Sequence, residues 1–177
     1  YKKIRKDKTG KFPHQQLLKV ALDMKINTVK LKNVDIIYSE ADKKSGQTGK
    51  IEFKNTNGTI TNVANDSKSL AKNSVMRAKL NTKIFGKAPL RLNINFYMNS
   101  KVGAFDFNGV VSAFDGRVIN RIVKPLGMAE INSVNVNKLA FYVKANQNIA
   151  RGTVQFYYDE LNVNVLKKDD DGNLKKQ

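Results

Sequence analysis

His14 is the only histidine in the chain, and there is no cysteine. Zinc and other transition metals take their ligands from clusters of His, Cys and carboxylate, so one isolated imidazole cannot hold such an ion. Coming directly after Phe12-Pro13, His14 is expected in the first turn of a short helix, as a polar residue rather than a ligand. The run Asp169-Asp170-Asp171-Gly172 has the composition of a calcium loop. Lys167 occupies the first ligand position, however, and no bidentate Glu follows, so the run is expected to be a charged loop. Asp159-Glu160 is an acidic pair, but neighbours on a strand point to opposite faces, whereas general acid–base work needs two groups converging on one substrate. Ser39, Glu40 and Asp106 are expected at the surface, in or beside strands. Gly46, Gly49 and Gly58 do not precede the Gly-Lys-Ser/Thr that cradles a phosphate. No catalysis, no metal and no cofactor is therefore expected.

Composition points the same way. The 177 residues are 41% hydrophobic, enough for a packed core, and carry a formal net charge of +17. That charge favours anionic partners such as nucleic acid, lipid headgroups or a polyanionic glycolipid, and equally suits a solvated lysine-rich surface that blunts sheet edges. The absence of Cys excludes disulfides. No apolar run of about 18 residues occurs, so no membrane-spanning helix is expected. The chain opens on Tyr1 and its last stretch, 167–177, ends in mid-pattern, so it is expected to be a piece of a longer protein.

The elements are mostly strands. Residues 1–12 form a basic lead-in, and a helix follows with Leu17, Leu18, Ala21 and Leu22 as its apolar stripe. Val29 and Leu31 share one phase of alternation and Val34, Ile36 and Tyr38 the other, which predicts a bulge or tight turn at Lys32-Asn33. A polar loop is expected over 42–49. Strands are expected at 50–53 and 59–63, joined by a tight turn at Asn57-Gly58. Residues 65–73 are either loop or a helical turn capped by Asp66 or Ser67. Met76, Ala78, Leu80, Thr82 and Ile84 alternate as a strand. In 90–98 every even position is apolar, with Arg91, Asn93 and Asn95 between them, giving one greasy and one wet face. Residues 104–113 continue the pattern. The segment 114–127 breaks it with an amphipathic helix: Asp115 caps it, Pro125 limits it, and Gly127 supplies a left-handed stop. Strands at 131–136 and 139–143 are out of phase across Asn137-Lys138. Those at 150–158 and 161–165 are out of phase across Asp159-Glu160, so a turn or bulge is expected at the first place and a bulge at the second. Repeated bulges curl a sheet. The expected fold is mainly β with minor α: a long curved antiparallel sheet forming an open groove, with two short amphipathic helices. It occupies residues 13–166, and 167–177 form a charged tail.

The block 105–165 resembles the C-terminal region of the AsmA-like family of Gram-negative envelope proteins, which includes the TamB relatives. The resemblance rests on Phe114-Asp115-Gly116-Arg117, Asn120, Lys124-Pro125-Leu126-Gly127, Ile131-Asn132-Ser133 and Val136-Asn137-Lys138-Leu139-Ala140-Phe141. It continues through Ala145-Asn146-Gln147-Asn148, Ala150-Arg151-Gly152 and Phe156-Tyr157-Tyr158-Asp159-Glu160-Leu161-Asn162-Val163. Residues 28–38 and 50–63 resemble the family's preceding hairpins. The resemblance implies a β-groove protein anchored in the inner membrane and reaching through the periplasm, its anchor outside this chain. It further implies a part in phospholipid transport or outer-membrane biogenesis.

On this reading the candidate lipid-binding face is Leu90, Leu92, Ile94, Phe96, Met98, Phe105, Phe107, Phe141, Val143, Val154 and Phe156. The same side chains could equally be an ordinary core packed beneath the helices. The expected partner is phospholipid or another envelope lipid, with envelope assembly proteins as further partners. The alternatives are a scaffold for outer-membrane proteins, or a binding module for lipopolysaccharide or nucleic acid. No specific nucleic acid is expected, because the phenylalanines fall on apolar alternations and not among the lysines.

Overall fold

The alternation of apolar and polar residues is realised as one meandering sheet. The computed structural model describes residues 10–41, 48–169 and 174–176. Its strands are β1 (Lys25–Ala41), β2 (Thr48–Ala64), β3 (Val75–Ile84), β4 (Ala88–Tyr97), β5 (Phe105–Asp115), β6 (Ala129–Ala145), β7 (Ala150–Lys168) and β8 (Leu174–Lys176). They lie in sequence order, each antiparallel to the next, in a sheet that does not close. The expected mainly-β, curved antiparallel fold is thus the observed one. The loop expected over 42–49 gives way to β2 at Thr48, and residues 42–47 lie outside the described ones, as does most of the basic lead-in. Of the charged tail, β8 folds back onto Leu166–Lys168. The run 170–173, expected to be a charged loop, lies outside the described residues.

The bulges fall where the phase changes require them. Asn33 has φ +54°, and the β1–β2 register slips between Leu31 and Val34. The β6–β7 register slips between Val136 and Lys138 and again opposite Glu160, whose φ is +56°. Each bulge keeps the apolar residues on one side of the sheet. The tight turn expected at Asn57-Gly58 is not formed. Residues 48–64 make a single strand, and the irregular residues are absorbed as another bulge. There Asn55 takes φ +52° and its N–H donates to Asp35 Oδ1 of β1 at 2.9 Å. Asp35 also accepts from Lys54 Nζ at 2.9 Å. A side chain of the neighbouring strand thus satisfies the backbone donor that the bulge takes out of the ladder, so the strand continues instead of reversing. Residues 131–136 and 139–143 are likewise one strand, β6.

Among the described residues three helices, one more than expected, join the sheet. They are α1 (Pro13–Leu17), α2 (Ser67–Lys72) and α3 (Asn120–Gly127), the last preceded by a 3₁₀ turn, Gly116–Ile119. Asp66 caps α2 by accepting from Ser69 N at 2.8 Å. Asp115 caps the 3₁₀ turn by accepting from Arg117 N at 3.0 Å. Two details of α3 differ from expectation. Pro125 lies inside the helix, and the left-handed residue is Met128, φ +50°, one position after Gly127.

α1 and α3 stand at opposite ends of the strands. Leu17 of α1 packs with Ala64, Leu70, Met76 and Met98. At the other end Ile119 and Val123 pack on Ile131, Val134 and Val136, while Leu126 lies against Gly49 of β2. α3 thereby bridges from β6 to β2. Its junction with the sheet is fixed by Asn120. The Asn120 carboxamide donates to Ile131 O and accepts from Ile131 N, both at 2.8 Å, imitating a strand neighbour. Asn120→Ala leaves both partly buried backbone groups unpaired. It is expected to cost about 2 kcal/mol, seen as a lower urea midpoint with an unchanged slope.

Candidate functional site

The side of the sheet facing α1 and α3 is apolar along every strand. Antiparallel partners share a face, so register assigns it: Leu90 opposes Val111, Ile94 opposes Phe107, Phe96 opposes Phe105, and Phe107 opposes Val143. Between the two helices this face encloses a cavity of about 520 Å³, within the size range of small-molecule pockets. It is lined by Ile36, Ile51, Phe53, Thr56, Leu80, Thr82, Ile84, Leu90, Leu92, Ile94, Phe96, Phe105, Phe107 and Phe141. Thr56 and Thr82 are the only polar side chains among these. Their hydroxyls are engaged with each other at 3.0 Å, and Thr82 Oγ1 donates to Lys54 O at 3.0 Å. Both hydroxyl protons are thus used within the wall, which leaves a ligand no side-chain donor. Phe96, Phe105, Phe107 and Phe141 form a chain of rings with successive centroids 5.9–6.1 Å apart.

Seven of the eleven predicted residues line this cavity: Leu90, Leu92, Ile94, Phe96, Phe105, Phe107 and Phe141. Met98 does not. It is 2% exposed and belongs to the core beneath α1, with Ala64, Leu70 and Met76. Val143 is half-buried on the same face beside Phe107, outside the lining. Val154 and Phe156 also share the face, opposite Phe141 and Leu139, but lie near the sheet edge and are 64% and 39% exposed. The sequence reading missed the far wall: Ile36, Ile51, Phe53, Leu80 and Ile84. Their alternation was visible; what was not visible is that curling brings β1–β3 round to face β4–β6.

α1 packs against Phe96 and Phe105 at one end of the lining, and His14, in the first helical turn as expected, is buried there. It is 1% exposed. Its ring lies 5.9 Å from Phe12, 5.1 Å from Phe96 and 5.9 Å from Phe105. Neither Nδ1 nor Nε2 has a hydrogen-bond partner. The rings packed around it, Phe12, Phe96 and Phe105, carry no charge. Burial lowers the His14 pKa below its ordinary 6.5, outweighing a smaller opposite influence of the Gly103 backbone. The folded state therefore favours neutral imidazole, whereas the unfolded chain protonates at 6.5. Stability is complete above that pH and is lost as pH falls through the depressed folded value. The expected result is a gap in urea midpoint between His14→Phe and wild type that widens in the variant's favour from pH 7 to pH 5. A constant gap would contradict it.

The acidic residues are placed differently from expectation. Asp106 is 4% exposed, and accepts from Tyr97 Oη and from Asn95 Nδ2 on the face away from the cavity. The bulge at Glu160 breaks the alternation that was to separate Asp159 from Glu160. Asn137 donates to Asp159 at 2.7 Å and Asn135 to Glu160 at 3.2 Å, so both carboxylates lie on one side, exposed, each tied to its own Asn. Among the described residues no group of three or more His, Cys, Asp or Glu could hold a metal ion. Among them, too, no helix is long and apolar enough to cross a membrane.

The outer face is cationic. Arg77, Lys79 and Lys83 of β3 lie beside Asn95, Asn93 and Pro89 of β4, and Arg91 lies beside Asn81. Comparison of the chain with protein-family models, curated proteins and solved structures finds no match.

Proposed function

We propose that this chain shelters the acyl chains of lipid in its trough, as a non-catalytic module of an envelope protein that takes part in phospholipid transport or outer-membrane biogenesis. The observation that carries the reading is the cavity between α1 and α3, walled by hydrocarbon and ring carbon with its two hydroxyls already paired. Such a wall discriminates in favour of a ligand that brings no polar group, since an unpaired one would be desolvated without compensation. Each methylene taken from water contributes about 0.8 kcal/mol. A headgroup would remain in water, where the protein's positive field favours an anionic one. The AsmA-like resemblance of residues 105–165 supports a periplasmic setting, with a membrane anchor elsewhere in the protein.

The test is native mass spectrometry of the protein purified without detergent, with extraction and identification of bound lipid. The expected result is a lipid adduct that a fluorescent fatty acid displaces. A protein that carries no lipid and fails to bind the fatty acid refutes the proposal.

A second reading, binding of an anionic polymer, draws on the outer face. There Lys138 lies 6.0 Å from the centroid of Tyr157, and Lys144 lies 5.8 Å from that of Tyr142. Cations beside aromatic rings suit stacked bases. The row of phenylalanines, however, lies on the opposite face. Binding of this kind would weaken steeply with salt, whereas acyl-chain binding would not.

A further inference from the structure

β7 is an edge without the usual protection. β8 covers its outer side only at Leu166–Lys168, and among the described residues no strand pairs with that side over 150–165. Exposed edges are ordinarily blunted by lysine, proline or a bulge. The other edge, β1, carries Lys25, Lys30 and Lys32 and bulges at Asn33. From Ala150 to Asp159, by contrast, β7 has no Lys, no Pro and no left-handed residue. It leaves Val154, Phe156, Tyr157 and Tyr158 between 39% and 64% exposed. In a protein of net charge +17, residues 150–165 carry only Arg151 against Asp159 and Glu160, so here the general self-repulsion is locally absent.

We infer that β7 pairs with β7 of a second copy of this chain, antiparallel about a two-fold axis through Gln155. The stretch is complementary to itself in that register. Arg151 faces Asp159 of the second copy, and the pair occurs twice. Val154 faces Phe156, and Gly152 leaves room opposite Tyr158. Facing antiparallel residues interact most strongly when apolar meets apolar and opposite charges meet. The bulge at Glu160 ends the pairing before β8 is reached, so β8 is not displaced. A two-fold axis normal to the sheet keeps both apolar faces on one side, and Val154, Phe156 and Tyr158 of the two copies become the middle of a doubled trough. The alternative of β7 against β1 of another copy runs parallel, which is the weaker pairing; like any head-to-tail contact, it builds an open chain instead of a closed dimer.

The association does not depend on lipid, so its test separates from that of the trough. The chain has no cysteine, so a single introduced thiol can cross-link only to its own copy. Under mild oxidation Gln155→Cys is expected to give a covalent dimer. Thr153→Cys is not, since it faces Tyr157, and about four residues of strand separate it from its own copy. Thr153→Cys mixed with Tyr157→Cys is expected to cross-link. In sedimentation, Arg151→Glu is expected to weaken dimerisation at least ~10-fold, about 1.4 kcal/mol. Adding Asp159→Arg should restore it. All of these side chains are exposed, so folding is not at issue. Three results would overturn the inference: a wild-type monomer up to about 1 mM, equal cross-linking at 153 and 155, or cross-linking of Gln155→Cys to Lys30→Cys on β1.

Discussion

Gly58→Ala is expected to destabilise the protein by about 3 kcal/mol or more, an unusual cost for adding one methyl group. Gly58 lies mid-strand in β2 at φ +153°, and a Cβ there would stand 2.0 Å from the carbonyl oxygen of Lys79 in β3. No side chain can rotate aside, because the obstacle is backbone. Relief requires the β2–β3 ladder to part at Gly58–Leu80, where Leu80 forms part of the cavity wall. Gly86 is the control. It too has positive φ, +72°, but nothing lies within 4 Å of its Cβ position, so Gly86→Ala should cost only the ~1–2 kcal/mol of a left-handed residue. Urea unfolding of both variants measures the difference. Equal losses would mean that backbone conformation alone, and not the close approach of the two strands, requires glycine at 58.

Phe107→Asp is expected to abolish fatty-acid binding, weakening it ~100-fold or more, about 2.7 kcal/mol. Phe107 sits at the middle of the ring chain, between Phe105 and Phe141, at 6.0 and 5.9 Å. A carboxylate there must either lose its hydration or draw water into a cavity whose only hydroxyls are already paired. Phe107→Leu keeps the lining apolar and is expected to bind within a few-fold of wild type. Phe107 is half-buried, so far-UV circular dichroism and a thermal melt should accompany the binding curve. Normal binding by a folded Phe107→Asp would show that the ligand lies elsewhere and would sink the trough proposal.

The two variants mark what the sequence displays and what it hides. Phe107 was identifiable from alternation, because a strand's period of two fixes which residues share a face wherever that strand lies. The bulges at Asn33, at Asn137-Lys138 and at Glu160 were identifiable for the same reason: a phase slip within an apolar pattern needs an extra residue. Gly58 was misread. Asn-Gly is the commonest signal for a two-residue turn, and nothing local reveals that Asp35, twenty residues earlier, supplies an acceptor that lets the strand run on. The position of His14 in the first turn of a helix was legible, but its burial was not, for a related reason. Its residue type suggests a wet position, but its surroundings are Phe96 and Phe105, brought there by strands some 80 to 90 residues later in the chain.

The sequence by itself determined which side chains share the apolar face along each strand and where phase slips interrupt that pattern. These follow from local periodicity and composition, which do not depend on what a segment meets. Only the tertiary structure decided that β1–β3 curl round to face β4–β6, and that Met98 is core while Ile36 and Phe53 line the cavity. Those are questions of distance between segments far apart in the chain. They are settled by the accumulated twist of the whole sheet and by which side chains fill the space it encloses.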